Sequence, residues 1–317
     1  MAVYTDISDS ELEALLAGYD LGRALSCKGV AEGIENSNFV VETEAGRFIL
    51  TIYERRVREA DLPYFLGLMH HLAKAGFPCA TPVADREGET LTQVRGKPAA
   101  LIYFLNGLSV RRPTAAHCAE VGAGLAQMHA AGAGFDLHRV NDLGLTAWRP
   151  LFDPNRAAAE RLESGLDARI ASDLAALEAA WPGGLPSGSI HADLFPDNAF
   201  FARGKFCGAI DFYFACDDAF AYDLAVCLNA WCFDAEHRFL PDHAKALVDG
   251  YQATRPLSAQ ELTALPVLAR GAAMRFFLTR LADWERGAAG ALVTPKNPMD
   301  YAKRLDAHRS GVVEAVL

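Results

Sequence analysis

The hydrophobic pattern of this chain changes period once, near residue 106, and that single change limits the folds open to it. Before it, short β-rich runs alternate with glycine turns. Asn38–Glu44 and Arg47–Tyr53 flank Ala45-Gly46, while Thr90–Val94 and Pro98–Leu105 flank a turn at Gly96, so each pair reads as a hairpin. Two helices accompany them. Ser8 and Glu11 form a capping box for a helix over Ile7–Leu16. Apolar positions 62, 65, 66, 68, 69 and 72 give a second over Asp61–Ala75, which Gly76-Phe77-Pro78 ends. After Asn106-Gly107 the texture is helical, over Ala116–Ala130, Arg156–Trp181 and Leu265–Gly287, with little strand character from Tyr222 onward. The pattern predicts an α+β chain of two lobes. Residues 1–105 make a small N-terminal lobe with an antiparallel sheet, and residues 106–317 a larger, mostly helical C-terminal lobe.

Composition narrows the function. With 30 Lys+Arg against 40 Asp+Glu the net charge is -10, which argues against a broad nucleic-acid surface. Hydrophobic residues at 51% supply a full core, so the chain as a whole is not disordered. No apolar run approaches the ~18 residues of a membrane span; the longest, Ala99–Leu105, is strand-length. Met1–Asp6 lacks the layout of a signal peptide. Seven scattered cysteines (27, 79, 118, 207, 216, 227, 232) without a Cys-x-x-Cys pair read as reduced packing residues of a cytoplasmic protein, with metal ligation the alternative.

The segment that carries chemistry is Ser189-Ile190-His191-Ala192-Asp193-Leu194-Phe195-Pro196-Asp197-Asn198, which holds His-x-Asp-x-x-x-x-Asn. Ala209-Ile210-Asp211-Phe212 follows after one more hairpin turn at Arg203-Gly204. Phosphoryl transfer asks for positioning and charge neutralisation rather than covalent chemistry by the protein. A carboxylate at the loop tip, Asp193, suits the proton of an attacking hydroxyl. Asn198 and Asp211 offer oxygens to Mg2+, a hard cation. His191 orients the loop. The competing reading, a polar turn with no chemistry, explains a lone His-x-Asp but not the whole conjunction.

These residues resemble the aminoglycoside-phosphotransferase-like family of small-molecule kinases, which implies a two-lobed protein-kinase-like fold, with ATP and Mg2+ as cofactors. Asp218–Ala225 is similar to the block after the second metal aspartate in that family, where Asp223 is a structural pin for the catalytic loop. Softer similarity, in Gly33–Phe39, Phe48–Glu54, Asp61–Met69 and Leu292–Pro298, points to the branch that phosphorylates the side-chain hydroxyl of L-homoserine. Two alternatives stand beside it: another small alcohol (an aminoglycoside, choline or methylthioribose), or a nucleotide-binding pseudokinase scaffold.

One departure favours the scaffold. Kinases of this fold place a lysine on the strand read here as Phe48–Tyr53, and the matching residue is Thr51. The resemblance implies that the branch carries threonine there. Arg47, Arg55 and Lys97 are candidates to replace the lysine. Gly33, Asn36, Ser37 and Asn38 lie where a phosphate-covering loop belongs, although an ordinary turn fits equally. Phe104 and Leu105 line an adenine slot or simply fill the core. On the helix over Leu265–Gly287, Arg280 falls within an apolar face and must meet a carboxylate. That partner is an acid such as Asp283 or Asp223, or the carboxylate of an amino-acid substrate. Arg275 is the weaker candidate.

Overall fold

The computed structural model describes residues 4–30, 36–54, 57–287 and 295–317. They divide into two compact units. The first runs to Asn106 and includes Phe135–Leu137 and Gly208–Tyr213; the second holds the rest. Gly33, Arg55 and residues 292–294 lie outside the described residues.

The first unit opens with α1 (Asp9–Leu16), whose Ser8–Glu11 capping box is present as the spacing predicts. A five-stranded antiparallel sheet follows in the order β1-β2-β3-β5-β4, formed by β1 (Ala24–Gly29), β2 (Ser37–Thr43), β3 (Gly46–Ile52), β4 (Thr92–Val94) and β5 (Lys97–Tyr103). β1 escapes sequence reading because its burial does not alternate and a register shift falls between Ala24 and Ser26. Alternation in β2, β3 and β5 sends Phe39, Val41, Phe48, Leu50, Ile52, Ala99 and Leu101 to one face, where they form a core with Leu12 and Leu16. The opposite face therefore holds Asn38, Thr51 and Ala100, paired in register. α2 (Leu62–Lys74) buries Phe65, Leu68 and Leu72. The Gly208–Tyr213 strap is tied in by Ala209, whose N–H donates to Pro78 O (3.2 Å) while its carbonyl accepts from Ala80 N (3.1 Å).

In the second unit, α3 (Ala115–Ala131), α4 (Leu145–Phe152), α5 (Arg156–Leu162) and α6 (Leu166–Ala180) precede four short strands, β6 (Ser187–Ile190), β7 (Ala199–Ala202), β8 (Lys205–Ala209) and β9 (Cys216–Ala219). The last two residues of β8 pass into the first unit. Next come α7 (Phe220–Trp231), α8 (Pro241–Thr254), α9 (Ala259–Gly287) and α10 (Met299–Arg309). The single helix expected over Arg156–Trp181 is two, because Gly165 adopts φ 77° between α5 and α6. α3 and α8 meet backbone to backbone. A Cβ on Gly122 would stand 2.0 Å from Leu247 O, and one on Gly250 would stand 2.1 Å from Ala119 O.

α9 corrects a sequence expectation. An 18-residue window of it has mean hydropathy 1.2 and would suit a membrane span by length and composition alone, but 61% of that window is buried within the chain. It packs against α4, α7 and α10, the behaviour of a core helix.

Candidate active site

The second unit builds the catalytic loop by holding an unfavourable backbone conformation in place. β6 pairs antiparallel with β9 and delivers the chain to His191. Ala192 then takes φ 61°, in the left-handed region that a Cβ disfavours. Asp223, fully buried in the first turn of α7, accepts His191 N on Oδ2 and Ala192 N on Oδ1, both at 2.8 Å. The pinning role implied for Asp223 is thus its structural position. Burial pushes its carboxyl up, yet the hydrogen bond and charge of His129 and the contribution of His191 outweigh this and leave it below the usual range.

A relay extends behind it. His129 Nε2 meets Asp223 Oδ2 at 3.0 Å and its Nδ1 meets the Tyr251 hydroxyl at 2.8 Å. Arg255 donates to that hydroxyl (3.3 Å) and to Glu261 (2.8 Å). Sequence reading missed His129 and Tyr251, which sit among apolar residues on α3 and α8.

Asp193 follows Ala192, and its N–H donates to His191 Nδ1 at 3.3 Å. His191 is fully buried. Asn198 Nδ2 donates to Asp193 O (2.8 Å) and lies 3.4 Å from Asp193 Oδ2, so the amide oxygen is the end left for a cation. Phe195 packs edge-on to Phe276 at 5.0 Å, and Phe276 stacks on Tyr301 at 5.2 Å.

The first unit carries Asp211. It too has a positive φ, 64°, and it leads into Tyr213, whose hydroxyl lies 3.1 Å from that of Tyr53. Burial pushes Tyr213 up to about 12. Burial also raises Tyr53, with smaller contributions from Tyr213 and from the Asp211 carboxylate. Thr51 is 3% exposed and donates its hydroxyl to Asn38 Oδ1 at 2.8 Å. A side-chain contact with Tyr213 joins the strap to this face of the sheet. Asn198, in the second unit, and Asp211, in the first, each carry an oxygen of the kind a hard cation accepts. Mg2+ binds one or two carboxylates plus waters and substrate phosphates, so the chemistry of each donor suits it. No cluster of three or more His, Cys, Asp or Glu suited to a metal occurs among the described residues, and none of the seven cysteines forms a disulfide there.

Several expected residues serve elsewhere. Ser37 accepts Tyr4 N (2.9 Å) and Thr5 N (3.0 Å) and donates to Glu54 Oε1 (2.8 Å), which uses its full capacity and leaves none for a phosphate. Asn36 accepts Glu54 N at 3.3 Å. Lys97 pairs with Glu54 and Thr5 and shares the core face with Ala99 and Leu101, away from Thr51. Arg47 alternates onto the Thr51 face, where it stacks 4.5 Å over Phe104 and donates to Asn106 at 3.2 Å. Leu105 lies against Gly208. Arg280 pairs with Asp300 (2.9 Å) rather than Asp283 or Asp223, and Asp283 pairs with Arg286 (2.8 Å). Arg275, expected to point away from the apolar face, is the deeply buried arginine, because α9 is enclosed over more of its circumference than one stripe.

A family model described as "Phosphotransferase enzyme family" matches residues 26–257. A homoserine kinase of Caulobacter vibrioides (strain NA1000 / CB15N) is 62% identical over 314 residues, covering 99% of this chain and 99% of its own length. One from Phenylobacterium zucineum (strain HLK1) is 62% identical over 310 residues, 98% of this chain and 96% of its own. Among solved structures, an amicoumacin kinase in complex with AMP-PNP, Ca2+ and Ami aligns with a TM-score of 0.69 over 98% of this chain and 94% of that one. At 17% identity the likeness is one of fold.

Proposed function

The chain belongs to the phosphotransferase enzyme family, and from that premise we infer that it is a homoserine kinase, which moves the γ-phosphoryl group of ATP to the side-chain hydroxyl of L-homoserine. The observation that carries this is the 62% identity to a homoserine kinase across 99% of both chains. Asp193, Asn198 and Asp211 are all present, which speaks against a scaffold without turnover. The scattered cysteines, without a Cys-x-x-Cys pair, support a cytoplasmic location.

In this reading the hydroxyl oxygen attacks the γ-phosphorus, the bond to the β,γ-bridging oxygen breaks, and ADP departs with that electron pair. Asp193 accepts the hydroxyl proton. Asn198 Oδ1 and the Asp211 carboxylate would hold Mg2+, which when bound neutralises phosphate charge. Asn38, its carbonyl oxygen taken by Thr51, presents its amide N–H groups as phosphate donors.

Homoserine carries an α-carboxylate and an α-ammonium, and the Arg280–Asp300 pair offers both opposite charges. Asp300 replaces Asp283 as the acid. Burial raises neighbouring Tyr301 above its usual value, with Arg304 and Arg280 acting in the other direction.

ATP turnover with a panel of hydroxyl compounds tests the reading. Homoserine should be preferred over its analogue without the carboxylate, and Arg280→Met should remove the difference between the two. Preference for an aminoglycoside, choline or methylthioribose would overturn it.

A further inference from the structure

Arg275 on α9 is 2% exposed, and among the described residues no acidic side chain forms an ion pair with it. Its Nε has no hydrogen-bond partner. A guanidinium so placed is costly unless something else holds its charge. Here Nη1 donates to the carbonyl oxygen of Ala192. The flat group lies 4.5 Å from the Phe276 ring centroid and 5.5 Å from that of Phe214, contacts that suit a delocalised cation better than an ammonium.

The bonds around Ala192 form one arrangement. Its N–H rests on the buried Asp223 carboxylate and its C=O on the buried Arg275 guanidinium. The two charges are counter-ions through a single residue of backbone, and that residue has the left-handed φ of 61°. The peptide joining Ala192 to Asp193 is gripped at both ends, by Arg275 at its C=O and by His191 Nδ1 at its N–H (3.3 Å). A strained conformation persists only where its surroundings over-determine it, and turning this peptide would swing the Asp193 side chain.

We infer that Arg275 is a positioning residue for Asp193: it fixes the Ala192–Asp193 peptide plane, and through it the direction of the carboxylate, without touching substrate. This rests on the role of Asp193 in the proposed function.

The test is Arg275→Met in the full-length chain, with kcat, both KM values, thermal stability and hydrogen exchange of the 190–195 segment measured together. Misplacement of a reacting group should lower kcat by about 100-fold, with KM for ATP and homoserine within about threefold of the parent and faster exchange confined to the loop. Arg275→Lys, which keeps a charged donor, should recover part of the lost kcat. In an Ala192→Gly background, where the left-handed φ no longer carries a Cβ penalty, the loss from Arg275→Met should shrink to about tenfold. Parental kcat in a folded Arg275→Met variant, a rise in homoserine KM at parental kcat, or an undiminished loss in the Ala192→Gly background would each overturn the inference. If Arg275→Met does not fold, Arg275→Lys carries the same kcat-against-KM reading. A parent that fails to phosphorylate homoserine would count against the proposed function alone, since the exchange measurement reads the clamp without turnover.

Discussion

The loop of the second unit that carries Asp193 and the β2–β3 pair of the first both carry polar side chains that the proposed function uses, yet they are held in opposite ways. The loop hangs on buried ionisable groups, Asp223, His129 and Arg275, each tied to backbone or to one another. Around Thr51 the strand pair uses neutral contacts, Thr51 to Asn38 and the adjoining Tyr53 to Tyr213. A ladder satisfies the backbone of a strand, so its side chains need only modest anchoring. A loop with Ala192 in the left-handed region has no ladder, and charge-assisted hydrogen bonds supply what is missing.

The largest effect should come from the loop itself. Asp193→Asn removes the proposed proton acceptor while keeping the shape, so turnover should fall by roughly 10²–10⁴ with nucleotide binding nearly unchanged. A variant that keeps near-normal turnover would take Asp193 out of the chemistry.

Of the two oxygens proposed for Mg2+, Asn198 belongs to the loop and Asp211 to the strap. Asp211→Ala and Asn198→Ala should each raise the Mg2+ concentration needed for half-maximal activity, Asp211→Ala more so because it removes a full charge. Parental Mg2+ titrations in both variants would end that assignment.

Acid should expose the contrast in stability. Buried tyrosines of the first unit are shifted upward and stay neutral in acid. In the second unit burial, with Arg304 and Arg270, lowers His308 to about 3, so it stays neutral when folded. Between pH 6.5 and 3 the unfolded chain therefore binds the extra proton, and stability is lost as pH falls. The slope is about 1.4 kcal/mol per pH unit below 6.5. Denaturant unfolding at pH 6.5 and 5 should show a loss of about 2 kcal/mol, which His308→Gln removes. An unchanged slope in that variant would assign the acid sensitivity elsewhere.

The smallest effect belongs to Thr51. If the neutral strand pair only needs filling, Thr51→Val should cost less than about tenfold in turnover, since a hydroxyl cannot supply an ammonium charge. A collapse of activity would show that the strand carries as much chemistry as the loop.

Periodicity and turn chemistry made the hairpins, the capping box at Ser8 and the His-x-Asp-x-x-x-x-Asn spacing legible, because each is set by residues close in sequence. β1 was not legible, since its half-exposed pattern carries no alternation. The break at Gly165 was hidden for another reason: helix-forming residues on both sides mask one left-handed glycine.

By itself, then, the sequence determined the fold class, the resemblance to small-molecule kinases and the identity of the loop that carries Asp193. Tertiary structure alone decided the partners of the buried charges. Arg275 and Arg280 lie on one helix five positions apart with the same formal charge. The first ends on the Ala192 carbonyl and the second on Asp300, 20 residues away. The physical reason is that an isolated charge must find an opposite charge or dipole in space. Helical spacing fixes the direction in which a side chain leaves its own helix, but the group waiting there comes from wherever the fold brings the rest of the chain.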